Sequence, residues 1–325
     1  MTLLTAHARE ISNVFQLLGH KEDDMTFSLG WALRQSPTFL QSVLRHIGIN
    51  SEIDNASLHL QRARKGFGRT DIEIELQSYG RILVEAKRSY SMPSYGQLEQ
   101  YVRGSASERR DGLPLKQVVI PTAFPEDVME REPATPKTVK AIPVCHLSWR
   151  TVIQLASSSY GAVRGFQKNI LGEFIDYLSE LVSMQNRESN MVYVVSLSDD
   201  TFAGGDISFI DVVAEFGMYF HPVGNHYPTV PPNYLGFRYR SRLQSIHFVE
   251  DVTVIDEYGD HFPGTSHEKI VPHFLYRLGP PVRPNQEVRS GPIRNMRCFC
   301  MLDTLLTSET IQQARQETQR RLDAC

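Results

Sequence analysis

The stretch GRTDIEIELQSYGRILVEAKR, residues 68–88, sets four carboxylates and a lysine into two short runs that otherwise read as buried strands. DIEIEL alternates polar and apolar residues, RILVEAK is almost continuously apolar, and Ser78-Tyr79-Gly80 between them supplies a turn. Pairing the runs antiparallel with Glu75 opposite Arg81 sets Ile72 opposite Val84 and Asp71 opposite Glu85. Directly opposed residues share a face, as do alternate residues along each strand. Asp71, Glu73, Glu85 and Lys87 then project one way, and Ile72, Ile74, Ile82, Val84 and Ala86 project the other way, toward a core. Like charges opposed across a ladder repel, so stability alone does not account for Asp71 facing Glu85. A divalent cation does. Mg²⁺ takes a few carboxylate oxygens and completes its shell with water and phosphate oxygens. Beside it Lys87 would orient or help deprotonate an attacking water and offset charge on a phosphate. The alternative is a solvent-facing hairpin in which Lys87 and Arg81 only neutralise acidic neighbours.

Upstream, Ile11, Val14, Phe15 and Leu18 recur at helical spacing, and apolar residues continue every three or four positions from Met25 to Ile49. This predicts two or three helices. The second starts at Thr26 or the acidic run Glu22-Asp23-Asp24, and the next starts at Pro37 behind a Ser36 cap. From Ser57 the period changes to two, giving strands over SLHLQRAR, DIEIEL and RILVEAK. A helix is expected from Pro93 to about Ser105, then the strand LKQVVIPTA and a Pro-rich acidic loop, PEDVMEREPATPKT. The strand KAIPVCHL and a helix starting at Ser148 follow. GFQKNILGEFIDYLSELVSM reads as an amphipathic helix with Phe166, Ile170, Phe174, Leu178 and Leu181 on one stripe. The polar run QNRESN, residues 185–190, is the expected boundary between a domain at 1–184 and a second at 191–325. Beyond it MVYVVSLS, ISFIDVVAEF, NYLGFRYRSRLQSIHFVEDVTVI and HFLYRLGP are strand-like and divided by Gly and Pro. With a polar helix from Ser308 they predict a smaller, mostly β domain.

Gly68-x-x-Asp71, Glu85-Ala86-Lys87 at a strand end, and Gln97-x-x-x-Tyr101 in the next helix, on an α-β-β-β-α-β frame, together resemble the PD-(D/E)xK nuclease superfamily. The resemblance covers roughly residues 10–150, and the residue before Asp71 is Thr70 where the motif has proline. It implies an α/β chain with a restriction-endonuclease-like mixed sheet flanked by helices. It also implies that Asp71, Glu85 and the Ala86 carbonyl bind Mg²⁺ or Mn²⁺ and that Lys87 assists the water. Gln97 would orient Lys87 or a phosphate. Lys21-Glu22-Asp23-Asp24-Met25-Thr26 is similar to the helix start of some members, which assigns Glu22 to the metal or its surroundings, with Asp23 and Asp24 competing for that role. The implied activity is Mg²⁺-dependent endonuclease cleavage of DNA in bacterial defence or restriction. The implied partners are nucleic acid, a second copy of the chain, and an activating ligand or protein. The rivals are a non-catalytic nucleic-acid-binding or scaffold protein that keeps the nuclease fold, and a phosphoesterase acting on small nucleotides.

Composition fits a folded chain. Of 325 residues, 41% are apolar and 22% charged, enough to build a core and against wholesale disorder. No apolar run approaches the length that crosses a bilayer, and the N-terminus lacks a signal peptide's features, so the expected location is the cytoplasm and no membrane partner is expected. Cys145, Cys298, Cys300 and Cys325 are too few and too clustered for a disulfide framework. A net charge of −3 leaves nucleic-acid binding to local patches. Arg62, Arg64, Lys65, Arg69 and Arg88 flank the motif, and Arg277, Arg283, Arg289, Arg294 and Arg297 form a second group. Tyr234, Gly236, Arg238 and Arg240 alternate with Leu235, Phe237 and Tyr239 as a strand with one cationic and one aromatic face, suited to phosphate and base contact or to an ordinary barrel strand. Cys298-Phe299-Cys300 lacks the paired halves of a zinc ribbon and reads as strand, and His221, His226, His247 and His261 show no ligand spacing.

Overall fold

The computed structural model describes residues 4–6, 9–53, 55–64, 66–107, 112–132, 135–182, 189–293 and 297–323. Lys65, Arg294, Cys325 and most of the polar run at 185–190 lie outside the described residues. The chain divides into two compact units, Met1–Met184 and Gln185–Cys325. It is α/β, with a mixed six-stranded sheet in each unit.

In the first unit β1 (Thr5–Ala6) pairs with β2 (Arg9–Glu10), and a 3₁₀ turn spans Val14–Leu17. Then come α1 (Glu22–Gln35), α2 (Pro37–His46), β3 (Ser57–Arg64), β4 (Gly68–Leu76) and β5 (Gly80–Val84). They lead to α3 (Tyr95–Ser107), β6 (Leu115–Thr122), α4 (Glu126–Arg131), β7 (Thr138–Val139) and β8 (Ile142–Ser148). Two helices close the unit, α5 (Trp149–Tyr160) and α6 (Gly165–Val182). The sheet order is β3-β4-β5-β6-β8-β7, with β5, β6 and β8 mutually parallel and the others antiparallel to their neighbours.

The register of β4 on β5 follows from the turn, with Glu75 opposite Arg81, Ile74 opposite Ile82 and Ile72 opposite Val84. Ile72, Ile74, Ile82, Val84 and Ala86 enter the main core with residues of α1, α2, α5 and α6. The opposite face carries Leu83, Val118 and Ile120, which pack with Leu98 and Val102 of α3. Burying roughly 100–150 Å² per side chain at about 25 cal/mol/Å² makes each of these positions a contribution of several kcal/mol, which fixes which face the acids occupy.

The caps work as the sequence suggests at two places. Ser36 Oγ accepts the Phe39 N–H at 3.3 Å with Pro37 opening α2, and Ser148 Oγ accepts the Thr151 N–H at 2.8 Å at the start of α5. Four expectations are corrected. Only a 3₁₀ turn, and no α-helix, forms over Ile11–Leu18, because Phe15 is its one buried apolar residue while Val14, Leu17 and Leu18 stay exposed, so no apolar stripe docks. The acidic loop contains α4, whose first turn holds Glu126 and Asp127 against the helix dipole. Phe166 is 62% exposed and belongs to no buried stripe. ISFIDVVAEF is not a strand.

That last segment forms α7 (Phe209–Ala214) in the second unit, where Ser208 and Asp211 complete a reciprocal capping box. The unit's strands are β9 (Met191–Ser196), β10 (Met218–Pro222), β11 (Tyr234–Tyr239), β12 (Arg242–Ile255), β13 (His273–Val282) and β14 (Arg297–Met301). Helices α8 (Leu302–Thr307) and α9 (Ile311–Leu322) end the chain. The strand order is β10-β13-β12-β11-β9-β14, antiparallel except where β9 meets β11. Leu305, Ile311 and Ala314 pack on Val192 and Val194, so the polar C-terminal helix covers one face through a narrow apolar seam. Arg240 and Ser241, both left-handed at φ 49° and 60°, make the two-residue turn between β11 and β12. The single long strand with a cationic face is therefore a hairpin, with Arg240 in its turn.

Candidate active site

The pairing of β4 with β5 ends at Ile72 and Val84. Beyond that point the chain leaves β4 and follows β6 instead, with the Glu85 N–H donating to the Val119 carbonyl at 3.0 Å and the Lys87 N–H to the Pro121 carbonyl at 2.8 Å. The intervening Ala86 N–H points back toward β4 and donates to Asp71 Oδ2 at 2.8 Å. In extended backbone the N–H and C=O of one residue point to the same side, so this alternation also aims the Ala86 carbonyl at Asp71. Two strands thus part by one residue and leave a cleft whose walls carry Asp71 and Glu85. The expected direct pairing of Asp71 with Glu85 does not form, because the ladder stops one residue short of it.

Glu85 is held from three directions. Its Oε1 accepts from Gln97 Nε2 at 2.7 Å, from Lys87 Nζ at 3.2 Å and from the Tyr101 hydroxyl at 3.4 Å, and Gln97 Nε2 also reaches the Tyr101 oxygen at 2.9 Å. Gln97 and Tyr101 are four apart and so stack on one face of α3. Gly68, at the start of β4, has φ +85°, and a Cβ there would stand 3.2 Å from the Tyr101 ring, which explains glycine at that motif position. Glu85 Oε2 is buried and has no hydrogen-bond partner among the described residues.

Of the three acids opening α1, Glu22 is the one that reaches the site. Its Oε1 pairs with Lys87 Nζ at 2.9 Å and its Oε2 accepts the Arg88 N–H at 3.0 Å. Asp23 turns outward to Arg69 at 3.1 Å, and Asp24 caps the helix by accepting the Lys21 N–H at 2.8 Å. The Lys87 carbonyl accepts the indole N–H of Trp149 at 2.8 Å, which fixes the backbone beneath the lysine.

The electrostatics follow from burial and neighbours. Burial pushes the Asp71 carboxyl up, against the opposing pull of the Ala86 N–H and the Lys87 charge. Burial and the adjacent Asp71 charge push Glu85 up to about 7 in spite of Lys87. Burial alone would lower the Lys87 ammonium, but Glu22 and Glu85 outweigh it and raise it.

Glu73 has a different environment. It is fully buried, and Arg64 bonds it through both terminal nitrogens, one contact at 2.8 Å, while Thr70 Oγ1 donates to it at 2.7 Å. Burial pushes Glu73 up, but these bonds win and hold it below the usual carboxylate range. The Arg64 side chain is only 6% exposed, so its guanidinium serves Glu73. Arg62 pairs with Glu75 at 2.9 Å and lies 3.5 Å from Glu73, so it too serves the sheet. Arg69 remains half exposed beside Asp23, and the Arg88 guanidinium donates to the His20 carbonyl. In the second unit Arg277 pairs with Glu250, Arg289 with Glu287, and Arg297 lies 3.7 Å from the centre of the Tyr227 ring.

Gln61 was not among the expected site residues. It stands in register with Asp71, between the pairs Leu60–Ile72 and Arg62–Thr70, and its Nε2 donates to Asp71 Oδ1 at 3.3 Å. Extending the strand pairing from β4 to SLHLQRAR would have found it. The histidines do not converge: both ring nitrogens of His221 and of His247 are engaged, with the Pro222 carbonyl and the Tyr276 hydroxyl, and with the Gly279 carbonyl and Ser245 Oγ respectively. Cys298 and Cys300 are buried in β14 with Phe299 exposed between them, as a strand requires. One other group, Glu257, Asp260 and His267, brings a ligand atom from each within 4.8 Å, but Asp260 and His267 are exposed and the contacts are internal to a loop.

No protein-family model, curated protein or solved structure matches the chain. Among the described residues no helix is long and apolar enough to cross a membrane.

Proposed function

We propose that the chain is a divalent-cation-dependent nuclease of the PD-(D/E)xK kind, hydrolysing phosphodiester bonds of DNA, with the second unit serving sensing or targeting. The observation that carries this is the partnerless buried Glu85 Oε2 beside Asp71, with both carboxyls raised by burial and Glu85 raised further by the Asp71 charge. Two acids and a backbone carbonyl on diverging strands fit Mg²⁺ or Mn²⁺, which favour oxygen donors and keep sites open for phosphate. Asp71, Glu85 and the Ala86 carbonyl would hold the ion, which supplies Lewis acidity to the scissile phosphate and its nucleophile.

The chain's own groups do the rest. Gln97 and Tyr101 fix the Glu85 carboxylate through Oε1, which leaves Oε2 for the ion. Glu22 and Glu85 fix Lys87 at the rim as a cation that offsets charge on a phosphate approaching in line with its attacking water. Lys87, held beside Glu85, is placed to stabilise that charge and to orient the water.

The test is cleavage of supercoiled plasmid and single-stranded DNA in Mg²⁺ or Mn²⁺ by wild type, Asp71→Ala and Lys87→Ala. Cleavage lost in both variants supports the reading. Cleavage that survives in both assigns it to a contaminant or another site. Intact DNA from all three, with no Mn²⁺ bound by wild type, leaves the scaffold reading.

A further inference from the structure

We propose that Gln61 supplies a third side-chain oxygen to the cation held by Asp71 and Glu85, an inference that rests on reading their cleft as a cation site. Extrapolating the pairs Leu60–Ile72 and Ile72–Val84 by one residue lines up Gln61, Asp71 and Glu85 as a row at the point where both ladders lapse, and Asp71 is held there by Gln61 Nε2 on one side and the Ala86 N–H on the other.

The backbone at Gln61 is left-handed, with φ +55°. This conformation has a clear structural effect. Leu58 and Leu60 face the helices, Leu60 lying against Gly30 of α1, whereas Arg62 and Arg64 have come round to Glu73 on the other face. Unbroken alternation would have left all four on one side, so the turn at Gln61 reverses the strand's parity. Glycine or asparagine would provide that reversal with less strain, and glutamine is not a residue the left-handed region favours. The backbone therefore does not account for the side chain.

The side chain has a second peculiarity. Its Nε2 donates to Asp71 Oδ1, while its Oε1 is buried with no hydrogen-bond partner among the described residues. Two oxygens without donors, Gln61 Oε1 and Glu85 Oε2, thus belong to the two residues flanking Asp71 in the row. A carboxamide oxygen is a usual donor to hard divalent ions, and its torsion next to the amide is broad, so turning the amide exchanges its N–H for its oxygen toward Asp71. A neutral third donor also leaves two carboxylate charges to balance a doubly charged ion.

The experiment measures Mn²⁺ binding by the loss of the free-ion EPR signal, and thermal unfolding in EDTA, for wild type, Gln61→Gly, Gln61→Glu and Asp71→Asn. The inference expects Gln61→Gly to weaken Mn²⁺ binding about tenfold while the metal-free midpoint holds or rises as strain is relieved, and Gln61→Glu to restore or tighten binding. Unchanged binding in Gln61→Gly overturns it. So does weakened binding that tracks a lowered metal-free midpoint and is not restored by Gln61→Glu, which reduces Gln61 to packing. Wild type that binds no Mn²⁺ overturns the cation site itself. That result is distinguishable, because failure of Gln61 alone leaves wild type binding and Asp71→Asn impaired.

Discussion

Glu73 and Glu85 project from neighbouring strands onto the same face of one sheet, and both are buried, but their partners differ in kind. Glu73 has every donor it needs from Arg64, Arg62 and Thr70 and titrates low. Glu85 has donors on one oxygen only and a second carboxylate nearby, and titrates high. Burial is the largest single influence on each and acts in the same direction on both, so the difference lies in the donors and the neighbouring charges, cationic at Glu73 and an acid at Glu85. A saturated carboxylate is structure. An undersaturated one, on the proposed reading, is where the cation binds.

The largest effect that would break this contrast is on activity. Asp71→Ala or Lys87→Ala is expected to reduce initial rates of plasmid cleavage about 10³-fold or more while leaving the fold intact by circular dichroism. On the saturated side, Arg64→Leu leaves the buried Glu73 charge with only Thr70 and the longer contact from Arg62. It is expected to destabilise the first unit by about 3–5 kcal/mol in urea titrations, and the double variant Arg64→Leu/Glu73→Leu should recover most of that loss.

The undersaturated side predicts a pH dependence of opposite sign. Glu85 titrates near 7 when folded and near its ordinary value of 4.5 when unfolded, so between those values the folded state holds the extra proton. Stability of the metal-free protein is then greatest below about pH 4.5 as far as this group is concerned, and falls as pH rises through 7, by on the order of 3 kcal/mol. Glu85→Gln in EDTA should flatten that fall, which urea midpoints at pH 5 and pH 8 would show. Glu73 acts the other way, contributing stability that is lost as the solution is acidified. The smallest effect is expected at Asp23→Ala, which removes a half-exposed pair with Arg69 and should shift stability by less than about 0.5 kcal/mol, with metal binding unchanged. A large loss of binding there would mean that Asp23, not Glu22, serves the site.

The contrast was half legible in the sequence. The β4–β5 register could be read because a three-residue turn and strict alternation leave only one pairing that buries five apolar side chains together. Which acid of Glu22-Asp23-Asp24 enters the cleft could not, since helix capping by Asp24 and the outward pair of Asp23 with Arg69 depend on groups outside the run. Arg64 looked like surface charge because the parity reversal at Gln61 carries no turn-forming residue to announce it. Phe209–Ala214 was read as strand because a six-residue apolar run fits either period, and the Ser208–Asp211 capping box decided for the helix.

The hydrogen bond from the Trp149 indole to the Lys87 carbonyl has an optical consequence. The chain has two tryptophans: Trp149 is fully buried against the residue that carries the site's positive charge, and Trp31 is about half exposed. Their emission should separate, a blue component from Trp149 that iodide does not quench and a red component from Trp31 that it does. The protein therefore contains its own fluorophore one hydrogen bond from the Lys87 backbone, so a shift of the blue component reports any movement of that backbone without a label.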